Sequence, residues 1–114
     1  LSLKPPSIMV GVNKEASING VLEKNSHFCL NLLNKSQQKI ADTCSGTEEG
    51  EKRFANDLWV SSNPVYLSDA QSNIFCKVID IIPYSSHSIV VGEVEELKHS
   101  GKIEPLIYQD GKYL

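Results

Sequence analysis

The chain has 114 residues and a formal net charge of −3, and 40% of its residues are hydrophobic and 22% charged. These values fit one globular domain over residues 1–114, and the negative charge disfavours non-specific binding to nucleic acids. No apolar run approaches the roughly 18 to 20 residues that cross a membrane as a helix, so a membrane partner is not expected.

The first predicted strand follows a pair of prolines. Pro5 and Pro6 block helix formation and favour extended backbone. Residues 7–12 are nearly continuous in apolar side chains, which predicts a buried strand. A short helix is then predicted over residues 18–24, with Ser17 as its N-cap.

The turn between this strand and this helix is the most informative stretch of the sequence. It holds the amide of Asn13, the ammonium of Lys14 and the hydroxyl of Ser17. A helix N-terminus presents unpaired N–H groups and a partial positive charge, and that arrangement binds phosphate. We therefore predict a site for a phosphorylated cofactor in this turn. The alternative is that Ser17 only caps the helix and that Lys14 is solvated.

The middle of the chain predicts a strand, a helix and an edge strand. Residues 27–33 alternate in a way that is typical of a partly buried strand. Asn34, with Gln37 three residues later, forms a capping-box pattern and predicts a helix over residues 37–44. Residues 57–63 are expected to form a loop, and residues 64–67 a short edge strand.

The last third predicts two long strands and a hairpin. Residues 74–82 and 88–97 are rich in β-branched side chains, which indicates strands. Asp110-Gly111 is a two-residue hairpin signal near the end of the chain. No GxGxxG motif and no parallel β/α alternation is present. The pattern therefore predicts a mainly antiparallel β-protein, a small barrel with short inserted helices.

The three cysteines give no sign of a metal site. Cys29, Cys44 and Cys76 are widely spaced, and no CxxC motif or Cys/His cluster accompanies them. They are predicted to be buried, reduced thiols of a cytoplasmic protein. The sequence also shows no carboxylate pair or nucleophile triad.

Short segments with fixed order and spacing run the whole length of the chain. They are SLKPPSIMV at residues 2–10, VNKEAS at 12–17, FCLNLL at 28–33, the predicted helix at 37–44, RF at 53–54, HSIVVGEV at 87–94 and PLIY at 105–108, with Gly111 and Tyr113. In these segments the chain resembles the short-chain flavin reductases. Those proteins are the reductase components of two-component flavin-dependent monooxygenases, such as the 4-hydroxyphenylacetate and phenol hydroxylase systems.

The resemblance implies a fold and an activity. The fold is the FMN-binding split β-barrel of a homodimer. The activity is reduction of FMN or FAD by NADH or NADPH, after which the reduced flavin passes to a partner monooxygenase. The alternative is a non-catalytic flavin-binding split-barrel protein, or an inactive fragment of a reductase.

The resemblance also implies roles for individual residues. His87 matches the histidine that meets the nicotinamide, and it is the predicted catalytic residue. The predicted cofactor-binding residues share positions near the flavin, and they are Ser2, Pro6, Asn13, Lys14, Ser17, Arg53, Phe54 and Tyr113. The alternatives are a surface or capping His87, a surface Arg53 beside a core Phe54, and a Tyr113 in the core or dimer interface.

Three departures from the family pattern affect these expectations. Ser85-Ser86 stands where many members have Gly-Asp before the histidine, and Gly11 stands where relatives often have a larger residue. Members also carry a few dozen residues before the Pro-Pro turn, including the first strands and a segment that meets the flavin ring. The chain is therefore expected to be a fragment or a shortened relative that lacks those N-terminal strands.

Overall fold

The computed structural model of the chain describes residues 2–3, 5–44, 58–101, 105–110 and 112–113. Its backbone contacts group into two compact units. The first unit combines Leu1–Cys29 with Ile74–Leu97, and the second combines Leu30–Asn73 with Lys98–Leu114.

The described part of the chain is mainly β-structure with short helices. The strands are β1 (Ser2–Leu3), β2 (Pro6–Asn13), β3 (His27–Leu32), β4 (Trp59–Val60), β5 (Tyr66–Leu67), β6 (Ser72–Tyr84), β7 (His87–His99), β8 (Tyr108–Gln109) and β9 (Lys112–Tyr113). The helices are two 3-10 helices, Ser17–Gly20 and Lys35–Gln37, and one α-helix, α1 (Gln38–Asp42).

A five-stranded sheet in the order β1-β2-β7-β6-β3 is the main element. Strands β2 and β7 are antiparallel, and their register runs from Ser7 opposite Glu93 to Asn13 opposite His87. On β7, Ser88, Val90 and Gly92 are buried, while the residues between them are more exposed. This period of two is expected for a strand with one face on the core.

The core of the first unit forms behind the buried face of β7. Phe28, Cys76, Val78 and Val90 are buried there. Burying a side chain such as valine stabilises a fold by roughly 1.5 to 3 kcal/mol. Because these residues come from β3, β6 and β7, the core ties together chain segments that are far apart in sequence.

Polar side chains organise the second unit. Asn31 Oδ1 accepts hydrogen bonds from the Leu67 N–H, at 3.1 Å, and from Asn73 Nδ2, at 2.8 Å. Asn73 Nδ2 also donates to the Leu67 carbonyl at 3.0 Å. Since Leu67 and Asn73 are buried, these bonds satisfy groups that cannot reach water.

Most predicted strands are confirmed, with bounds that differ by a few residues. The predicted strand 7–12 is Pro6–Asn13, and the two long strands extend to Ser72–Tyr84 and His87–His99. The capping box of Asn34 and Gln37 is present, and it begins the second 3-10 helix ahead of α1. The terminal hairpin is also present, with Asp110 at a φ of 58°.

Three local predictions are wrong. The helix expected over residues 18–24 is a four-residue 3-10 helix, Ser17–Gly20, and glycine at its end is a poor helix former. The loop expected over residues 57–63 contains Trp59–Val60, which pairs with Tyr66–Leu67. Cys44 is exposed rather than buried.

Candidate functional site

The turn after β2 satisfies its own backbone N–H groups. The Lys14 N–H donates to the Ser86 carbonyl at 2.9 Å, and the Ala16 N–H donates to the Asn13 carbonyl at 3.0 Å. The Glu15 N–H donates to Asn13 Oδ1 at 2.9 Å. Asparagine commonly holds a turn in this way, by bonding to the backbone two residues on. These three N–H groups are therefore occupied in this conformation.

This geometry contradicts the prediction that a helix N-terminus capped by Ser17 forms the anion site. Ala16, not Ser17, is the N-cap of the 3-10 helix, and it makes no side-chain capping bond. A four-residue helix also has few aligned peptide dipoles. An anion at this turn would therefore be held by side chains, above all the exposed ammonium of Lys14.

His87 begins β7 directly opposite the end of β2. Its backbone pairs with Asn13 in the antiparallel ladder. Its Nδ1 lies 2.9 Å from the Ser86 hydroxyl oxygen, and its Cδ2 lies 3.9 Å from the position that a Cβ would take on Gly11. The side chain is exposed. The imidazole thus leans across the sheet surface toward a residue that has no side chain.

The structure therefore brings two separately predicted groups to one corner. Asn13 and Lys14 are predicted from the turn, and His87 from the family pattern. The ladder pair Asn13–His87 and the bond from Lys14 to Ser86 place all three at the same end of the β2–β7 pair. We call the set Asn13, Lys14, Ser86 and His87 the turn corner.

Sequence reasoning missed the part that Ser86 has in this corner. Ser85 and Ser86 form a two-residue connection between the long strands β6 and β7, and Ser85 has a φ of 53°. A positive φ at this place is typical of tight hairpin turns. The short connection between two strongly predicted strands was the available signal, because such a turn brings its second residue beside the next strand's first side chain.

The other predicted site residues lie elsewhere or outside the described part. Pro6 begins β2, seven residues and so about 23 Å along the strand from Asn13. Ser2 pairs with Ser7 at that same end. Tyr113 lies on β9 in the second unit, half-buried, and pairs with Tyr108. Arg53 and Phe54 lie outside the described residues, as does the side chain of Ser17.

Outside the turn corner, one ionisable group is buried in the core and two others lie in contact at a partly exposed position. Burial raises the pKa of the Cys76 thiol from 9.0 to about 11, and the neighbouring Cys29 and Glu95 add to this effect. His27 Nε2 lies 3.1 Å from Glu95 Oε1, but both side chains are partly exposed, so this pair contributes little to the stability of the fold. Over the described ranges, no group of three His, Cys, Asp or Glu residues could hold a metal ion.

The described helices are also too short and too polar to cross a membrane, since none offers an apolar stretch of the required length.

Comparison with models of known protein families identifies the family of this chain. The model of the flavin reductase like domain matches residues 1–114. The chain belongs to the flavin reductase-like domain family. This membership confirms the resemblance that the spaced segments indicated. The turn corner is therefore a feature of a flavin reductase-like domain.

Two curated relatives match nearly the whole domain. The reductase component of an FADH(2)-dependent resorcinol hydroxylase from a Rhizobium strain is 30% identical over 115 residues, covering 99% of this chain and 64% of the relative. An FMN reductase (NADH), RutF, from Pseudomonas syringae is 29% identical over 113 residues, covering 96% of this chain and 63% of the relative. This chain thus spans less than two thirds of the length of either relative.

Solved structures share the fold. A flavin reductase domain protein from an Arthrobacter strain superimposes with a TM-score of 0.88 at 24% identity, covering all of this chain and 71% of that one. A homologue of nitrilotriacetate monooxygenase component B from Mycobacterium thermoresistibile gives 0.87 at 26% identity, with all of this chain and 65% of that one covered. These likenesses confirm the predicted fold class, a mainly β, flavin reductase-like fold.

Proposed function

We propose that this domain acts in an NAD(P)H-dependent flavin reductase that supplies reduced FMN or FAD to a partner monooxygenase. The names of relatives support this activity. One is the reductase component of a hydroxylase system, one is an FMN reductase (NADH), and another is an NADH:riboflavin 5'-phosphate oxidoreductase from Streptomyces pristinaespiralis. We further propose that the protein works in the cytoplasm as a homodimer.

The turn corner carries this proposal. Asn13 and His87 face each other across the β2–β7 ladder, and Lys14 follows directly with its backbone bonded to Ser86. A cationic group and an exposed imidazole on one corner can hold a dinucleotide or flavin phosphate and a nicotinamide close together. Holding two reactants in a fixed arrangement is the main contribution of a protein to a cofactor-to-cofactor reaction.

The residues of the corner fit a phosphorylated flavin. Lys14 offers an exposed ammonium, and Asn13 keeps Nδ2 as a donor while its Oδ1 holds the turn. Charge-assisted hydrogen bonds of this kind are the stronger ones in proteins. Lys14 and Asn13 would hold the phosphate, with Ser17 beside them in sequence, and the remaining predicted cofactor residues are Ser2, Pro6, Arg53, Phe54 and Tyr113.

His87 would orient the nicotinamide. When bound, the flavin supplies the redox chemistry and accepts the hydride. Hydride transfer requires no general acid or base from the protein, so the imidazole serves to position the ligand. Its ring nitrogen would hydrogen-bond the nicotinamide and fix its approach. Because the side chain is exposed, a second planar ligand can reach it without rearrangement of the sheet.

A steady-state assay tests the proposed function. The protein is mixed with FMN or FAD and with NADH or NADPH, and oxidation of the nicotinamide nucleotide is followed by absorbance. We expect turnover by the unaltered protein, and a loss of roughly 10- to 100-fold in kcat/KM for His87→Ala, the scale expected when a reactant is misplaced. His99→Ala, which changes an exposed histidine of the second unit, is the matched control and should stay within about twofold of the unaltered protein.

The assay also separates the proposal from its alternative. Flavin binding measured by fluorescence, with no NADH or NADPH oxidation, would identify a non-catalytic flavin-binding protein instead. Full turnover in His87→Ala would remove the role assigned to this histidine. Neither result depends on which of FMN and FAD is the preferred flavin, because both are assayed.

A further inference from the structure

We propose that Ser86 and Gly11 are positioning residues for the His87 imidazole, and that they leave Nε2 as the nitrogen that meets the nicotinamide. This inference rests on the proposed function, since it assigns a geometry to the histidine proposed to hold that ligand. Ser86 acts on one edge of the ring and Gly11 on the other.

The Ser86 hydroxyl fixes the Nδ1 edge. The distance between Ser86 Oγ and His87 Nδ1 is 2.9 Å. A hydroxyl can donate to an unprotonated ring nitrogen or accept from a protonated one, so this contact is satisfied in either tautomer. Ser86 is itself held in place, because its carbonyl accepts the Lys14 N–H at 2.9 Å. Ser86, which holds the imidazole, therefore also forms the backbone hydrogen bond that joins the turn after β2 to the turn before β7.

Gly11 leaves room for the opposite edge. Gly11 pairs with Ile89, and Asn13 pairs with His87, so residues 11, 13, 87 and 89 share one face of the sheet. A Cβ on Gly11 would lie 3.9 Å from Cδ2 of the ring, and no other heavy atom beyond its chain neighbours comes within 4 Å of that point. A branched side chain there would meet the imidazole and turn it away.

Together these contacts determine which nitrogen is available. Across the described residues, the Ser86 hydroxyl is the only hydrogen-bond partner of the His87 ring. With Nδ1 engaged, Nε2 remains for a ligand on the open face beside Gly11. The carboxamide of a nicotinamide offers both a carbonyl acceptor and an amino donor, so it can bond to Nε2 in either tautomer.

Kinetics of paired variants test the proposal. We expect Ser86→Ala to lower kcat/KM for NADH by roughly 3- to 10-fold, the effect of one modest hydrogen bond, with FMN affinity unchanged. Ser86→Thr keeps the hydroxyl and should restore at least half of the activity. Ser85→Gly removes the neighbouring hydroxyl, suits the positive φ of that residue, and is the control expected to match the unaltered protein.

The His87→Ala background shows whether Ser86 acts through His87. In His87→Ala, adding Ser86→Ala should have no further effect on kcat/KM for NADH, although it lowers it when His87 is present. An equal loss in both backgrounds would mean that Ser86 only shapes the turn, and it would overturn the proposal. So would an unaltered kcat/KM in Ser86→Ala with His87 present. Gly11→Val can also meet the ligand directly, so its effect on the ring is measured by the His87 nitrogen shifts, which should move; unchanged shifts would overturn the role of Gly11.

Nitrogen NMR of the ring separates this inference from the proposed function. If the protein does not oxidise NADH, the proposed function fails, but the Ser86–His87 contact can still be measured. We expect the nitrogen chemical shifts of His87 Nδ1 and Nε2 to change in Ser86→Ala and to stay the same in Ser85→Gly. Identical ring shifts in Ser86→Ala and the unaltered protein would show that the hydroxyl does not hold Nδ1.

Discussion

The ring of Phe28 packs directly on Gly92, which has no side chain to separate them. A Cβ on Gly92 would lie 2.8 Å from Cζ and 3.0 Å from Cε1 of Phe28, and 3.1 Å from the Cβ of Cys76. Real Cβ atoms essentially never come closer than 3.0 Å to such neighbours. This close approach joins β3, β6 and β7 in the core of the first unit.

Gly92→Ala is therefore expected to destabilise the protein. The added methyl group has to displace a buried aromatic ring, and overpacking of this kind costs about 1 to 3 kcal/mol. Urea unfolding should show a lower free energy of unfolding. The control is Gly20→Ala, since a Cβ there has nothing within 4 Å, and it should change stability by less than about 0.5 kcal/mol. A shorter side chain in Gly92→Ala/Phe28→Leu should recover part of the loss.

Equal stability of Gly92→Ala and the unaltered protein would contradict this packing. The comparison is specific, because both glycine variants add the same methyl group at different places in the first unit.

Lys14 is expected to distinguish FMN from riboflavin. If its ammonium holds the flavin phosphate, Lys14→Gln should weaken FMN binding by roughly 5- to 20-fold, the effect of one charge-assisted contact. Riboflavin has no phosphate, so its affinity should not change. Fluorescence titration measures both. Lys24→Gln removes another exposed lysine of the first unit and should leave both affinities as they are; a parallel loss for riboflavin would place Lys14 elsewhere than at the phosphate.

The long strands were predictable because their signal is strong and local. Residues 74–82 and 88–97 are rich in β-branched side chains, and the observed strands Ser72–Tyr84 and His87–His99 only extend them. The capping box at Asn34 follows from side chains three residues apart. In each case, the secondary structure that the local sequence pattern favours is the one that the folded chain adopts.

The turn corner was only partly predictable. Asn13 and Lys14 were predicted from their residue types, but His87 is 74 positions from Asn13, and only the β2–β7 register brings it opposite Asn13. The expected phosphate-binding helix N-terminus is replaced by a four-residue 3-10 helix, Ser17–Gly20, and the Glu15 N–H in the turn before it is already bonded to Asn13 Oδ1. Periodicity does not reveal side chain-to-backbone bonds of this kind.

Asn73 is expected to be essential for the second unit. Asn73→Ala removes donors to Asn31 Oδ1 and to the Leu67 carbonyl, which should lower the free energy of unfolding by about 2 to 4 kcal/mol. Asn73→Asp keeps the size but places an acceptor against two acceptors, so it should be at least as unstable. Gln38→Ala, at an exposed position, serves as the control.

Denaturant unfolding monitored by circular dichroism checks this prediction. If Asn73→Asp were as stable as the unaltered protein, Asn73 Nδ2 could not be the donor to these two oxygens. If Asn73→Ala lowered the free energy of unfolding and Asn73→Asp did so much less, Asn73 Nδ2 could again not be the donor. The size of the side chain, and not its hydrogen bonds, would then determine stability.

Cys76 should make stability depend on pH in the alkaline range. The folded protein raises the pKa of this thiol from 9.0 to about 11, chiefly by burial. Above pH 9 the unfolded chain therefore loses the proton while the folded chain keeps it, so the free energy of unfolding falls as pH rises. This contribution is fully present below pH 9 and is lost by about pH 11, with a total of about 2 to 3 kcal/mol.

Cys76→Val isolates this contribution from other groups that titrate at high pH. Valine is apolar and β-branched, so it suits a buried strand position, and it has no proton to lose. Urea unfolding under reducing conditions from pH 8 to pH 11 should show a steeper decline for the unaltered protein than for Cys76→Val. Cys44→Ser, which changes an exposed cysteine, should decline as steeply as the unaltered protein. Parallel curves for the unaltered protein and Cys76→Val would mean that Cys76 keeps an ordinary pKa, and therefore that the core behind Gly92 admits water.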